Sequence, residues 1–193
     1  MNSIVVFCGS SMGDNPNVAK EAYALGRTMA SRQCTLVYGG AKIGIMGQVA
    51  QGALENGGKV IGVIPNFLTS KEVVHQELSK LIVTKDMHER KLKMHELSDG
   101  IIMLPGGFGT LEEFFEMLTW GQLGLHQKPI GVLNTNKFYD PLMTMLKSMV
   151  AQGFVKQANL DMILLDETID GLLKQMEAYE PLPIPKWIRQ DQI

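Results

Sequence analysis

The 193-residue chain is 45% hydrophobic and 20% charged with a formal net charge of −2, the composition of a globular protein long enough to bury a substantial core. That balance leaves no basic footprint for nucleic acid, no apolar run approaches the roughly 18–20 residues of a membrane span, and Ile4–Cys8 is too short for a signal-peptide core. The two cysteines, Cys8 and Cys34, lie in or beside predicted strands and read as buried thiols, with the cytoplasm as default compartment.

In chain order, apolar runs alternate with segments of helical period. Strands are predicted near Ile4–Cys8, Thr35–Tyr38, Lys59–Ile64, Leu81–Thr84, Ile101–Leu104, Ile130–Leu133 and Met162–Leu164. Helices are predicted near Val18–Arg32, Ile45–Asn56, Met87–Leu97, Leu111–Leu123, Pro141–Gln152 and Ile169–Tyr179. The strands are near-continuous in Val, Ile and Leu, as burial on both sheet faces requires. The alternation predicts one Rossmann-like α/β domain over residues 1–193: a doubly wound, mainly parallel sheet of about seven strands flanked by helices. A proline-rich tail over about residues 181–193 should run extended.

Ligands of such sheets bind at the carboxyl ends of the strands, and three of these exits are glycine-rich: Gly9-Ser10 after the first strand, Gly39-Gly40 after the second, and Pro105-Gly106-Gly107-Phe108-Gly109-Thr110 after the fifth. The last reads as strand, turn and helix start, where amides and a helix N-terminus converge on an anion. No Gly-Lys-Ser/Thr phosphate loop is present, and the first strand lacks Gly-x-Gly-x-x-Gly, so an ATPase or dinucleotide dehydrogenase loses ground. Thr110 reads as an N-cap with Glu113 completing a capping box. A cap, however, needs no Gly-Gly-x-Gly, whereas a ligand pressed against the backbone does. On the preceding helix, Arg90 and Lys91 share the inward stripe of Met87, Met94 and Leu97. Buried cations there should meet an acid or an anionic ligand. His88 and His95 are expected at the surface, and no metal site is predicted. The thirteen methionines read as adaptable filler, and Phe114, Phe115 and Trp120 as packing within or between subunits.

Met87-His88-Glu89-Arg90-Lys91 together with Pro105-Gly106-Gly107-Phe108-Gly109-Thr110-Leu111-Glu112-Glu113 resembles the paired signature of the LONELY GUY (LOG) proteins. Gly62-Val63-Ile64-Pro65, Thr119-Trp120-Gly121-Gln122-Leu123-Gly124, Lys128-Pro129-Ile130-Gly131-Val132-Leu133-Asn134 and Phe138-Tyr139-Asp140 fit the same family, up to about Phe154. The resemblance implies a cofactor-free, homodimeric phosphoribohydrolase that cleaves cytokinin riboside 5′-monophosphates, and often AMP, to free base and ribose 5-phosphate. Older descriptions of such proteins read lysine decarboxylase. It further implies that Arg90 and Glu113 are catalytic. Substrate contacts are expected from Glu72, Lys91, Gly106, Gly107, Phe108, Gly109, Thr110, Leu111 and Glu112, with Gly9, Ser10, Gly39 and Gly40 at the other exits. Where the family pattern has a third glycine after Gly39-Gly40, this chain has Ala41, which a positive φ would strain.

The resemblance agrees with the chemistry: the turn would hold a 5′-phosphate while a carboxylate answers the positive charge that grows on the sugar. Arg90 could bind the phosphate or steady the glutamate. Two other readings compete. One is a non-catalytic nucleotide-binding module whose acids are helix caps. The other is a pyridoxal-phosphate lysine decarboxylase, for which no lysine is marked as a Schiff-base former.

Overall fold

Strands without polar alternation need helices on both faces, and the computed structural model, which describes residues 1–69 and 74–181, places them so. The elements are β1 (Ser3–Phe7), α1 (Pro16–Ser31), β2 (Thr35–Tyr38), α2 (Gly44–Leu54), β3 (Val60–Pro65), β4 (Lys80–Thr84), α3 (Met87–Glu96) and β5 (Gly100–Met103). There follow α4 (Phe108–Gln122), β6 (Ile130–Leu133), α5 (Asp140–Ala151), α6 (Gln157–Leu160), β7 (Ile163–Asp166) and α7 (Ile169–Glu177). The seven strands form one sheet in the order β4-β3-β2-β1-β5-β6-β7, and every pairing is parallel. The predicted fold class is therefore observed.

Alternate residues of the central strands feed two cores. Ile4, Val6 and Leu36 pack with Leu25, Val49 and Leu172 of α1, α2 and α7. Val5, Phe7 and Val37 face the other way, against Met94, Phe114 and Met117 of α3 and α4. Central positions such as Val5, Val37 and Ile101 are fully buried, whereas edge strand β4 leaves Leu81 and Val83 exposed. Both cysteines are free and buried, as expected.

Helix starts depart from the sequence reading in an instructive way. α1 begins at Pro16 rather than Val18, because Asn15 accepts from the Asn17 N–H at 3.0 Å and proline suits the first helical position. α4 begins at Phe108, with Gly107 as N-cap and no side-chain cap. Thr110 is thus not the cap, the Thr110–Glu113 capping box does not form, and the first turn holds no acid. First-turn amides have no intrahelical acceptor in any case, so Gly107 and Gly109 begin this helix rather than preceding it. A reciprocal cap does form on α3, where the N-cap Asp86 accepts from the Glu89 N–H at 2.9 Å and Glu89 reaches one residue past the cap to accept from the Lys85 N–H at 2.6 Å.

Glu72 and the tail beyond residue 181 lie outside the described residues.

Gly44 has φ +64°, and a Cβ there would collide with the Ser10 backbone. Gly44→Ala should therefore lower stability by about 2 kcal/mol or more, measured as a fall in urea midpoint at unchanged m-value.

Candidate active site

β1 and β5 are neighbours whose connections leave toward opposite faces, β1 to α1 and β5 to α4, which opens a crevice at their carboxyl ends. The two exits meet backbone to backbone. The Gly9 N–H donates to the Pro105 carbonyl at 3.1 Å, and a Cβ on Gly106 would strike the Thr110 hydroxyl and approach the Gly9 nitrogen to 2.8 Å. The β2 exit joins from the other side, through a hydrogen bond from the Met46 N–H to the Gly9 carbonyl at 3.2 Å and through Gly44 packed on Ser10. Gly40 carries the left-handed φ of this loop, +82°. Ala41 is not among the residues of positive φ and is buried in an antiparallel bridge to Val74. The strain expected at Ala41 does not arise, because Gly40 makes the turn.

Three exits thus converge on the N-terminus of α4. The Leu111 N–H is the first to join the helical ladder, donating to the Gly107 carbonyl at 3.1 Å. The amides of Phe108, Gly109 and Thr110 precede it and have no intrahelical acceptor, and the positive end of the helix dipole lies with them. Neither Gly107 nor Gly109 has a left-handed φ, and a Cβ added to either would have no atom within 4 Å. Nothing among the described residues requires glycine at these two positions, and the space beside both is open. The Phe108 side chain stands 94% exposed beside it.

The charges come from α3 and α4. Arg90 is buried, donates from Nε to the Val63 carbonyl of β3 at 3.1 Å, and lies against Gly39, where a Cβ would collide with its guanidinium. From that anchorage its Nη1 reaches Glu113 Oε1 at 3.8 Å. Lys91 is equally buried, with Nζ 2.5 Å from Glu112 Oε1 and 3.1 Å from Glu116 Oε2. Burial alone would pull the Lys91 ammonium down, but these two carboxylates outweigh it and hold its pKa above the ordinary value. Both cations of the inward stripe therefore meet acids, as their burial demanded. Glu116 was missed in the sequence, although its place four residues after Glu112 puts both on one helix face.

Glu113 itself is 9% exposed. Burial pushes its carboxyl up to about 7; Arg90 opposes that rise and Glu112 and Glu116 add to it. The Cys8 thiol beneath it is driven far above its usual value by burial and by Glu113, so it offers no nucleophile. Of the remaining expected contacts, Ser10 and Glu112 are exposed, Leu111 is half-buried and Thr110 is buried at the turn.

On α3, His88 at the start is exposed as expected, whereas His95 at the far end is half-buried. α4 covers it with Trp120, edge-on at 5.3 Å, and His126 lies 5.0 Å away. Burial, with help from Lys128 and His126, lowers His95 to about 4.

The profile of a family described as "Possible lysine decarboxylase" matches residues 46–176. A cytokinin riboside 5′-monophosphate phosphoribohydrolase of Rhodococcoides fascians is 44% identical over 177 residues, 91% of this chain and 89% of that one. A probable cytokinin riboside 5′-monophosphate phosphoribohydrolase of Oryza sativa subsp. japonica is 44% identical over 176 residues, 91% of this chain and 79% of that one. Among solved structures, the molybdenum cofactor binding protein of Rippkaea orientalis superposes with a TM-score of 0.70 at 23% identity, over 92% of this chain and 97% of that one. The last likeness concerns the fold alone.

A carboxyl held at about 7 rather than near its ordinary 4.5 stabilises the folded state fully below the unfolded pKa and loses that contribution as pH rises through about 7. Glu113→Gln should therefore raise stability at pH 8 by about 1–3 kcal/mol relative to the parent and leave it nearly unchanged at pH 4, read by urea denaturation at both pH values. Arg90→Met should move the Glu113 titration upward, followed by ¹³C-carboxyl NMR.

Proposed function

The chain belongs to the LONELY GUY family of cytokinin riboside 5′-monophosphate phosphoribohydrolases, and from that premise we propose how it acts on cytokinin riboside 5′-monophosphates and AMP. It hydrolyses their N-glycosidic bond to free base and ribose 5-phosphate. The observation that carries the reading is the pairing of open glycines, at helix amides that have no intrahelical acceptor, with a buried glutamate on the same helix whose carboxyl is pushed up to about 7.

The 5′-phosphate binds the amides of Phe108, Gly109 and Thr110, where helix dipole and N–H donors favour an anion. At 1.5 Å rise per residue, Glu113 lies about 6 Å further along α4, roughly one turn on, and its side chain leans back toward the N-terminus on the face of Gly109. That separation suits a pentose bound by its phosphate. As the C1′–N bond breaks, its electron pair passes to the base and positive charge grows on the ribose. The Glu113 carboxylate answers that charge and orients the water whose oxygen bonds to C1′. Of the water's two protons, one stays on the new hydroxyl and the other ends on the base. Arg90 keeps Glu113 in place and biases it toward the carboxylate. Always protonated, Arg90 is no general acid. Lys91, committed to Glu112 and Glu116, supports the α3–α4 contact more than it serves the substrate.

The competing readings lose their footing. A non-catalytic module needs the acids as caps, yet α4 starts at Phe108 without them. A Schiff-base lysine needs a lowered pKa, and Lys91 is held the other way. Lys128, which burial does lower, precedes β6 at the opposite end of the strands.

No helix among the described residues is long and apolar enough to cross a membrane, and the cytoplasm suits the free thiols of this reading. A homodimer is supported by the exposed apolar side chains Leu92, Phe138, Met145 and Phe154 on and beside α3 and α5, and sedimentation velocity tests it.

Incubation with AMP and with isopentenyladenosine 5′-monophosphate should release free base and ribose 5-phosphate, resolved by chromatography, with no release from the corresponding nucleosides. Base release from the nucleosides at equal rates would refute the phosphate-anchored reading. Glu113→Gln should cut kcat by about 10²-fold or more while nucleotide binding persists. Gly109→Ala should fold with equal or slightly higher stability, since alanine is favoured in a helix by up to about 1 kcal/mol, yet raise KM for the monophosphates.

A further inference from the structure

The motif Asn134 with Phe138-Tyr139-Asp140 belongs to no step above, yet it ends directly beneath the anion-binding turn. Tyr139 is 3% exposed, and its hydroxyl donates to the Leu104 carbonyl at 2.8 Å. Leu104 is the residue that leads from β5 into Pro105 and Gly106, and its own N–H donates to the Phe7 carbonyl at 2.9 Å. Gly9 fastens the same turn from the β1 side through the Pro105 carbonyl. The turn is thus gripped from both neighbouring strand exits, by a main-chain donor on one side and a phenol on the other.

The phenol is itself held. The Tyr139 N–H donates to Asn134 Oδ1 at 2.8 Å, and Asn134 Nδ2 donates to Asp140 Oδ1 at 2.8 Å. Asn134 is 2% exposed, and its N–H donates to the Asp166 carbonyl of β7 at 2.8 Å. Between Asn134 and Tyr139 the chain makes its return through two consecutive left-handed residues, Asn136 at φ 53° and Lys137 at φ 60°. Neither is glycine, and such conformations persist only where surrounding contacts over-determine them. A loop free to relax would not keep them. Burial keeps the phenol protonated far beyond neutral pH, so it remains a donor throughout the working range.

We propose that Tyr139, fixed by Asn134 and Asp140, is a positioning residue that sets the anion-binding turn Pro105–Thr110 for the substrate's phosphate by anchoring the Leu104 carbonyl. The proposal rests on the anion-binding role given to that turn above. It places the determinant of phosphate affinity partly on the β6–α5 connection, which touches neither Arg90 nor Glu113 in its hydrogen bonds.

The test compares the parent with Tyr139→Phe, which keeps the ring and removes the donor, and with Asp140→Ala, an exposed change that frees Asn134. Tyr139→Phe should raise both the KM for AMP and the inhibition constant of ribose 5-phosphate about tenfold, the scale of one hydrogen bond, with kcat within threefold. Asp140→Ala should move the same two constants in the same direction by less. A fall in melting temperature with both constants within twofold of the parent would reduce Tyr139 to a structural role and overturn the proposal. So would a tenfold loss confined to kcat. Calorimetric binding of inorganic phosphate separates this from the reaction itself. Weaker phosphate binding by Tyr139→Phe in a protein that releases no base keeps the clamp and refutes the phosphoribohydrolase reading. Equal phosphate binding with base released does the reverse.

Discussion

A carboxylate almost shut off from water, beside a guanidinium it meets only at 3.8 Å, sets the terms for everything built around the crevice. Burying either charge alone is expensive, and a close bidentate pair would be the cheapest remedy. The fold does not adopt it. Arg90 is instead anchored to the Val63 carbonyl of β3 and seated against Gly39, so that its position is fixed before it reaches α4. Glu113 is left without a close partner, and its pKa stays near 7 rather than falling below the ordinary range. Looseness in this pair is what leaves the acid usable.

On the proposed reading, the same helix serves both ends of a phosphorylated sugar with opposite charge. Its N-terminus offers unpaired amides and the positive pole of the dipole, and between one and two turns later its inner face presents an acid. Lys91 would spoil this division by adding a second mobile cation, but Glu112 and Glu116 take it up completely. Among the described residues, what α3 and α4 then present is a set of fixed donors, one anchored arginine and one glutamate. Little reorganisation is left for the moment of reaction, which is where preorganised sites draw their advantage.

Much of this was legible from the residues. Runs such as Val5-Val6-Phe7 and Ile130-Gly131-Val132-Leu133 show strands because burial on both faces removes polar alternation, and the β–α order then fixes a parallel sheet. Arg90 and Lys91 on an apolar helical stripe announced that an acid or an anionic ligand must lie opposite. The start of α4 was not legible, since Gly107 and Gly109 look like a turn by propensity, and only the absence of an intrahelical partner for first-turn amides explains why glycine does not break the helix there. The choice of Glu116 as partner for Lys91 depends on how α3 crosses α4, which no local pattern encodes. His95 misled for the same reason: its helix face is polar by sequence, and Trp120 covers it only in three dimensions. Nor could the pattern around Ala41 show that Gly40 and Gly44, on either side of it, supply the left-handed residues.

The strand order has a consequence for how the protein comes into being. β1 is the first strand made, yet one of its edges stays open until β5 is synthesised, nearly a hundred residues later, with pairs such as Val5 to Ile101. Arg90 rides on the last helix before that event and Glu113 on the first helix after it. The seam between β1 and β5 must close before that cation and that acid share a crevice. Turnover is therefore a reporter of seam closure, and a chain divided in the short stretch between Glu96 and Gly100 would yield two pieces that are each chemically silent until they find one another.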